Sequence, residues 1–425
     1  MKQINYNNRT FSSTPYYQRL PPEEKRSFDL LSRVFHFKVN NYVLENLIDW
    51  DQVPHDPVYQ YVFPKPEMIG EEGFELLANV TKPGMPESVQ ATFLQRIRTK
   101  LRPQYTYSPE SQPKDKEGTP LKGMYSNFPT IVSLFPAPMV ITCHSYCNFC
   151  FRWIQFGDQQ VQADSSYSDP NSPVEWLRSH PEVSDVLFTG ADPLICNSKV
   201  LWKYIQPILE VDSVKVLRIS SKSLAYWPFR FTTDQDAPHL LAMFERITEQ
   251  GKHLNFCAHF THPRELEHPE VAKAIAAIRN TGAVIRTQGP LLKNVNDSSE
   301  AWSQMWDRQV NLGLIPYYMF VEAGHHPEPC FRVPLALALD IFQRAQKMTT
   351  GLARTVRGPV FMLDLHRVLL DGITTVNGDK FFVLKNLQAP PGHHSEGQIK
   401  LIPYDPETKS LGNLYELFNE VGFPA

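Results

Sequence analysis

The stretch Met139-Val-Ile-Thr-Cys143-His-Ser-Tyr-Cys147-Asn-Phe-Cys150 decides how the rest of the chain is read. Its apolar start, Met139–Cys143, predicts a short strand, and three cysteines follow at spacings of three and then two residues. Outward from it, short β-branched apolar runs alternate with amphipathic segments of helical length. Further strands are predicted over Asp185–Thr189, Lys215–Ser220, His253–His259, Ala283–Thr287 and Leu314–Val321. Helices are predicted over Val200–Leu209, His239–Glu249, Pro269–Thr281, Ser298–Leu312 and Pro334–Met348, with Asp297 or Ser298 capping the fourth. Strands that are each followed by a helix describe parallel βα units with right-handed crossovers. Six such units are too few to close an eight-fold barrel. The expected fold is α/β, an open, partial (β/α)6 barrel of the TIM type with its chemistry at the carboxyl ends of the strands.

Before that region the pattern differs. Phe28, Leu30, Leu31, Val34 and Phe35 recur at helical spacing within residues 22–48, and a second helix is predicted from Pro86 through Phe93 and Ile97 to Leu101. Residues 108–123 are polar and rich in breakers, which predicts an exposed linker. Past Val376 the run VNGDKFFVLKN reads as a hairpin. The chain thus divides into a helical extension (1–123), a barrel core (124–364) and an appended segment (365–425) expected to cover one barrel opening.

The bulk composition narrows the function classes. Of 425 residues 42% are hydrophobic, enough for a large core, and the formal net charge is −3 with no basic run to follow a phosphate backbone. Nucleic acid is not the expected partner. Met1–Tyr17 lacks the apolar run of a secretory signal and no stretch is long and apolar enough for a bilayer, so a soluble, cytoplasmic protein is expected. The six cysteines do not form a disulfide scaffold in so long a chain, and the crowding of half of them points to metal.

Three thiolates at this spacing can grip three irons of a cubane cluster and leave the fourth iron open to a chelating substrate. A zinc site, with His144 as fourth ligand, is the alternative, but neighbouring Cys and His side chains close a tetrahedron awkwardly. Cysteines buried without any metal are the third reading.

Cys143, Cys147 and Cys150, with the aromatic Phe149 before the last, resemble the signature of the radical S-adenosylmethionine (SAM) superfamily. The resemblance implies a [4Fe–4S] cluster that cleaves SAM, oxygen sensitivity and an external electron donor of the flavodoxin or ferredoxin type. It implies that Phe149 lies beside the adenine. Phe188-Thr-Gly-Ala-Asp-Pro193 is similar to the family motif that receives the SAM methionyl amine, here at Gly190, Ala191 and Asp192. Over residues 40–385 the chain resembles the lysine 2,3-aminomutase branch, through Val216-Leu-Arg-Ile-Ser220, Ala258-His-Phe-Thr-His-Pro263, Gln288–Asp297 and Ile315-Pro-Tyr-Tyr318. That likeness implies that Ser220, His259 and Gln288 approach SAM or substrate, that Arg152 grips a substrate carboxylate, and that Asp364 recognises a distal amine. Glu322 neighbours Ala323, where a second carboxylate of that pocket aligns.

The departures are as informative. The aminomutases bind pyridoxal phosphate (PLP) through a lysine in a glycine-rich loop just after the aspartate, and here Asp364 runs straight into Leu365-His-Arg. The arginines that bind the PLP phosphate are replaced in Ser126-Asn-Phe-Pro-Thr-Ile131. Gly392–Lys400 is faintly similar to the missing loop, which makes Lys400 a candidate Schiff-base lysine. The expected enzyme is a radical SAM protein that takes hydrogen from a small amino-acid-like substrate without PLP, leading to desaturation, epimerisation or rearrangement. The alternatives are a PLP-dependent 2,3-aminomutase using Lys400, and a modifier of RNA or protein. Cys257 and Cys330 are candidate hydrogen donors, against the blander role of small core residues. His325, His326, His393 and His394 are candidate acid/base or metal groups, with solvated loop histidines as the simpler reading. Assembly into homo-oligomers is left open.

Overall fold

The computed structural model describes residues 1–101, 111–321, 330–363, 366–392 and 395–408. Its strands are β1 (Asn5–Asn7), β2 (Lys38–Asn40), β3 (Met124–Phe128), β4 (Ile131–Leu134), β5 (Asp185–Phe188), β6 (Val216–Ser221), β7 (His253–His259), β8 (Val284–Leu291), β9 (Ile315–Val321), β10 (Arg357–Leu363), β11 (His366–Val376), β12 (Asp379–Gln388) and β13 (Ile399–Pro403). The helices are α1 (Pro15–Arg19), α2 (Pro22–Leu31), α3 (Pro57–Val62), α4 (Gly70–Val80), α5 (Glu87–Lys100), α6 (Gln159–Asp164), α7 (Ser172–Ser179), α8 (Ser198–Leu209), α9 (Ser223–Tyr226), α10 (Ala237–Glu249), α11 (Pro269–Asn280), α12 (Ser299–Asn311) and α13 (Leu335–Met348).

Eleven strands form one continuous sheet, β13-β12-β11-β10-β9-β8-β7-β6-β5-β4-β3. Among the described residues, β4 to β10 run parallel, each pair joined through a helix, so six βα units are followed by a seventh parallel strand. This is the expected partial barrel. Along β6 the side chains alternate: Leu217 and Ile219 are buried under the helices, whereas Arg218 and Ser220 are half-exposed on the other face. The same alternation continues in β8, so one side of the sheet is apolar core and the concave side is polar. The helices end where their chemistry says: the Asn197 side chain accepts from the Val200 amide at the start of α8, and Ser298, rather than Asp297, from the Ala301 amide at the start of α12.

Three sequence expectations are corrected. Met139–Cys143 is not a strand; the first parallel strand is β4, and a short turn at Ala137–Met139 follows it. Pro136 and Pro138 cannot donate to a ladder, and the Met139 carbonyl is instead taken by the Ala191 amide at 2.8 Å. The last parallel strand, β10, escaped notice because Arg357, Gly358 and Pro359 interrupt its apolar run. The long helix expected within residues 22–48 ends at Leu31, since Lys38–Asn40 pairs with β1. Phe28, Leu31, Val34 and Phe35 are nevertheless all buried.

Asn377 and Gly378, both at positive φ, turn β11 into β12 as the hairpin pattern required. The residues expected as an appended segment continue the main sheet, β11, β12 and β13 adding antiparallel beyond β10. The two ends of the sheet curl toward each other: the Arg367 guanidinium of β11 lies 5.1 Å from the Phe128 ring of β3 and 4.9 Å from the Tyr318 ring of β9. No helix among the described residues is long and apolar enough to cross a membrane.

The extension is fastened to the barrel through Asp56, which is fully buried. Its carboxylate caps α3 by accepting from the Val58 and Tyr59 amides at 2.9 and 2.8 Å, accepts from the Asp49 amide at 3.0 Å, and pairs with Arg264 beyond β7. Removing it uncaps the helix and strands the half-buried Arg264 cation. Asp56→Ala is expected to cost about 3 kcal/mol of unfolding free energy, measured by urea denaturation.

Candidate active site

The cysteine loop has little secondary structure of its own, so its polar backbone must find partners elsewhere. The extension supplies them. The Lys38 ammonium donates to the Cys143 carbonyl at 2.7 Å, the Tyr146 amide donates to the Lys38 carbonyl at 2.8 Å, and the Asn148 amide donates to the Tyr61 carbonyl at 2.8 Å. The Asn40 amide donates to the Ser145 hydroxyl at 3.0 Å, and its side chain reaches the His144 and Tyr226 carbonyls. Residues from β2 and α3 therefore grip the loop from outside the barrel.

All three loop cysteines are free thiols. Burial pushes each thiol's pKa up, Cys143 furthest and Cys147 to about 12, and neighbouring thiols add to the rise at Cys143 and Cys147. Lys38 and Lys222 oppose this at Cys143 and Cys147, while the Arg152 amide and charge oppose it at Cys150. The Tyr226 hydroxyl lies 2.9 Å from the Cys147 sulfur. A set of thiolates encircled by cations and a hydroxyl donor fits an anionic iron–sulfur cluster. Among the described residues no three His, Cys, Asp or Glu side chains converge on a single-ion position. His144, the zinc alternative's fourth ligand, is bonded through Nδ1 to the Gln3 amide at 3.0 Å.

Facing the loop, β6, β7 and β8 present Ser220, His259 and Gln288. The Gln288 amide donates to His259 Nε2 at 3.1 Å, and the Ser220 hydroxyl lies 2.8 Å from the same nitrogen. That nitrogen is thus the acceptor of a neutral ring. Burial, helped by the charges of Lys222 and Arg152, lowers the His259 pKa to about 3. Gly190 ends β5 at φ +148, where an added Cβ would lie 2.5 Å from the Met139 carbonyl oxygen. Only glycine fits there. The Asp192 carboxylate is turned into the protein: it accepts from the Leu194 amide, the Ser221 hydroxyl and the Lys222 amide, tying the β5 loop to the end of β6.

Arg152 follows the cysteines with its guanidinium 4.8 Å from the rings of both Phe135 and Phe151, and its charge is felt at Cys150 and His259. Phe149 packs near Tyr61 and Phe331, at 5.9 and 6.4 Å between ring centres. Cys257 sits on the concave face two residues before His259; the Asn255 amide donates to it at 3.0 Å, and burial raises its thiol to about 11. Cys330 is half-buried beside the core, close enough to Lys65 for its charge to be felt there. Lys400 pairs with Leu384 opposite Leu370 on the edge strand β13, so it projects on the other face of the ribbon from Arg367. Asp364, Glu322, His325, His326, His393 and His394 lie outside the described residues.

Sequence reasoning missed the groups that support the cluster loop. Lys222 donates to Glu265 at 2.7 Å and to Thr261 at 2.9 Å, and its ammonium lies 4.8 Å from the Tyr226 ring. The Tyr61 hydroxyl donates to the same Glu265, which is fully buried. Lys38 and Tyr61 carry no local signal, since they act across roughly a hundred residues of sequence on a loop they do not adjoin.

An open parallel α/β barrel with a clasped three-cysteine loop at its strand ends is the class these features define. No protein-family model matches the chain. A relative from Aquifex aeolicus, provisionally named L-lysine 2,3-aminomutase, is 29% identical over 343 residues, covering 80% of this chain and 79% of the relative. The L-lysine 2,3-aminomutase of Acetoanaerobium sticklandii is 27% identical over 263 residues, 60% of this chain and 58% of that protein. Among solved structures, a radical SAM methyltransferase from Sphaerobacter thermophilus overlaps 76% of this chain and 92% of its own, with a TM-score of 0.38 at 11% identity. The chain is thus similar to proteins named L-lysine 2,3-aminomutase over most of its length, in line with the resemblance its motifs carry.

Two half-buried histidines contribute to a pH signature, alongside the buried His144. His259 is lowered to about 3, and His262, through burial and the Arg264 charge, to about 4. Both stay neutral in the folded chain, so below the ordinary value of 6.5 the unfolded chain binds more protons and stability falls as the pH drops. Urea midpoints should decrease between about pH 7.5 and about pH 5, and the doubly substituted His259→Gln, His262→Gln protein should show a shallower slope.

Proposed function

We propose that this chain cleaves SAM reductively and abstracts a hydrogen atom from a small amino-acid-like substrate, without PLP. The observation that carries the reading is the placement of three half-buried thiols near the hydrogen-bonded Ser220, His259 and Gln288, with Lys222 and Arg152 acting on both sets. Cys143, Cys147 and Cys150 would hold a [4Fe–4S] cluster, which supplies the single electron that splits the SAM sulfonium and yields a 5'-deoxyadenosyl radical. An external donor of the flavodoxin or ferredoxin type is the expected source of that electron.

The chain's own residues have separable tasks. The loop after β5, pressed against Met139, brings backbone near the cysteine loop, where Gly190 and Ala191 are proposed to meet the SAM amine. Phe149 is proposed to flank the adenine. Neutral His259 gives the cavity a hydrogen-bonding group that carries no charge, with Ser220 and Gln288 fixing its orientation. Arg152, held beside the Phe135 and Phe151 rings, is proposed to grip a substrate carboxylate. Cys257, on the same concave face, is proposed as a hydrogen donor to the substrate radical. Absence of PLP is supported by the position of Lys400 on the other face of the C-terminal ribbon.

Anaerobically reconstituted protein should bind about four irons and, with dithionite and SAM, release 5'-deoxyadenosine. Each of Cys143→Ala, Cys147→Ala and Cys150→Ala should abolish that product; its absence from intact, iron-loaded protein would sink the proposal. Tyr226→Phe removes a donor to the Cys147 sulfur. It should leave iron content unchanged and move the midpoint potential to a more negative value in a spectroscopic redox titration.

A further inference from the structure

The concave wall holds a guanidinium that the reaction above does not use. Arg367 emerges from β11; its NH1 donates to the Tyr318 hydroxyl at 3.3 Å, and its Nε approaches the Met362 sulfur at 3.4 Å. The Phe128 and Tyr318 rings lie against it. Tyr318, one strand further round the wall, is in register with Gln288 of the Ser220, His259 and Gln288 group, and Arg367 reaches it from β11. Among the described residues no carboxylate lies within ion-pair distance of it: Asp185 on this wall is paired bidentately with Arg218, and Glu265 near its rim with Lys222. Arg286, also on this face, bonds an amide oxygen, that of Asn255, at 2.8 Å. The described wall is therefore cationic in excess.

A half-buried guanidinium stacked on rings is prepaid in side-chain order, and its in-plane N–H groups remain available to an oxyanion. The Tyr318 hydroxyl beside it adds a further donor. We propose that the chamber takes an amino acid bearing a second anionic group, a side-chain carboxylate or phosphate, with Arg367 and Tyr318 holding that distal anion. This rests on the reading of Arg152 as the ligand of the α-carboxylate. It reverses the preference that a distal-amine pocket at Asp364 would give, so the two make opposite predictions.

Binding is measured by calorimetry on the anaerobically reconstituted protein with SAM and no reductant, so that no turnover occurs. The probes are L-glutamate, L-aspartate, O-phospho-L-serine, L-lysine and L-leucine. At least one anionic probe should bind about tenfold more tightly than lysine and leucine, and comparison of glutamate and aspartate with phosphoserine separates carboxylate from phosphate. Arg367→Met should weaken the anionic probes about tenfold with SAM affinity and melting temperature unchanged, and Arg367→Lys should fall between. Arg152→Met should weaken every amino acid alike. If Arg152→Met does so but Arg367→Met leaves anionic probes unaffected, or if lysine binds most tightly, the inference is overturned and the chamber reading stands. If neither substitution alters binding, or none of the amino-acid probes binds, both fall.

Discussion

The backbone of the cysteine loop is the constraint on which the rest depends. Eight residues from Cys143 to Cys150 must hold three thiols in a buried place without the help of a helix or ladder, and every unsatisfied amide there would be costly. Lys38, Asn40 and Tyr61 meet that need from one side and Met139 with Ala191 anchors the loop's entry on the other. The extension is thereby part of the site as well as part of the fold. Asp56, with its cap on α3 and its ion pair to Arg264, keeps Tyr61 where the Asn148 amide can reach its carbonyl.

The sheet divides its chemistry by face. Period-two alternation sends Leu217, Ile219 and Ile285 into the helical layer and leaves Arg218, Ser220, Arg286 and Gln288 on the concave wall. Polar groups on that wall are mostly bonded to one another: Arg218 with Asp185, Arg286 with Asn255, Gln288 with His259. Such mutual bonding holds side chains in set positions around a cavity and leaves few of them free to quench a reactive intermediate. His259 kept neutral is the clearest instance, because a charged imidazole there would stand beside both Arg152 and Lys222.

Much of this was legible in the chain. Strands β5 to β9 and helices α8 and α10 to α13 announce themselves by periodicity, because each buries one face against a regular layer. The strand-end trio was legible only through family likeness, since a serine, a histidine and a glutamine on separate strands share no local pattern. What failed did so for identifiable reasons. Met139–Cys143 has a strand's apolar pattern, but its Met139 carbonyl is taken by the loop after β5, and Pro359 hides a strand whose pairing with β9 is irregular. The clasp by Lys38, Asn40 and Tyr61 and the Tyr226 contact with Cys147 come from long-range contacts, which one-dimensional patterns do not carry.

The clasp also fixes an order of events. Lys38, Asn40 and Tyr61 leave the ribosome well before the cysteines they serve, and closing so long a loop costs conformational entropy that only the docked extension repays. The loop is therefore shaped by a scaffold made in advance. A cluster of the kind proposed for these thiols would then fill a prepared mould rather than shape the loop around itself.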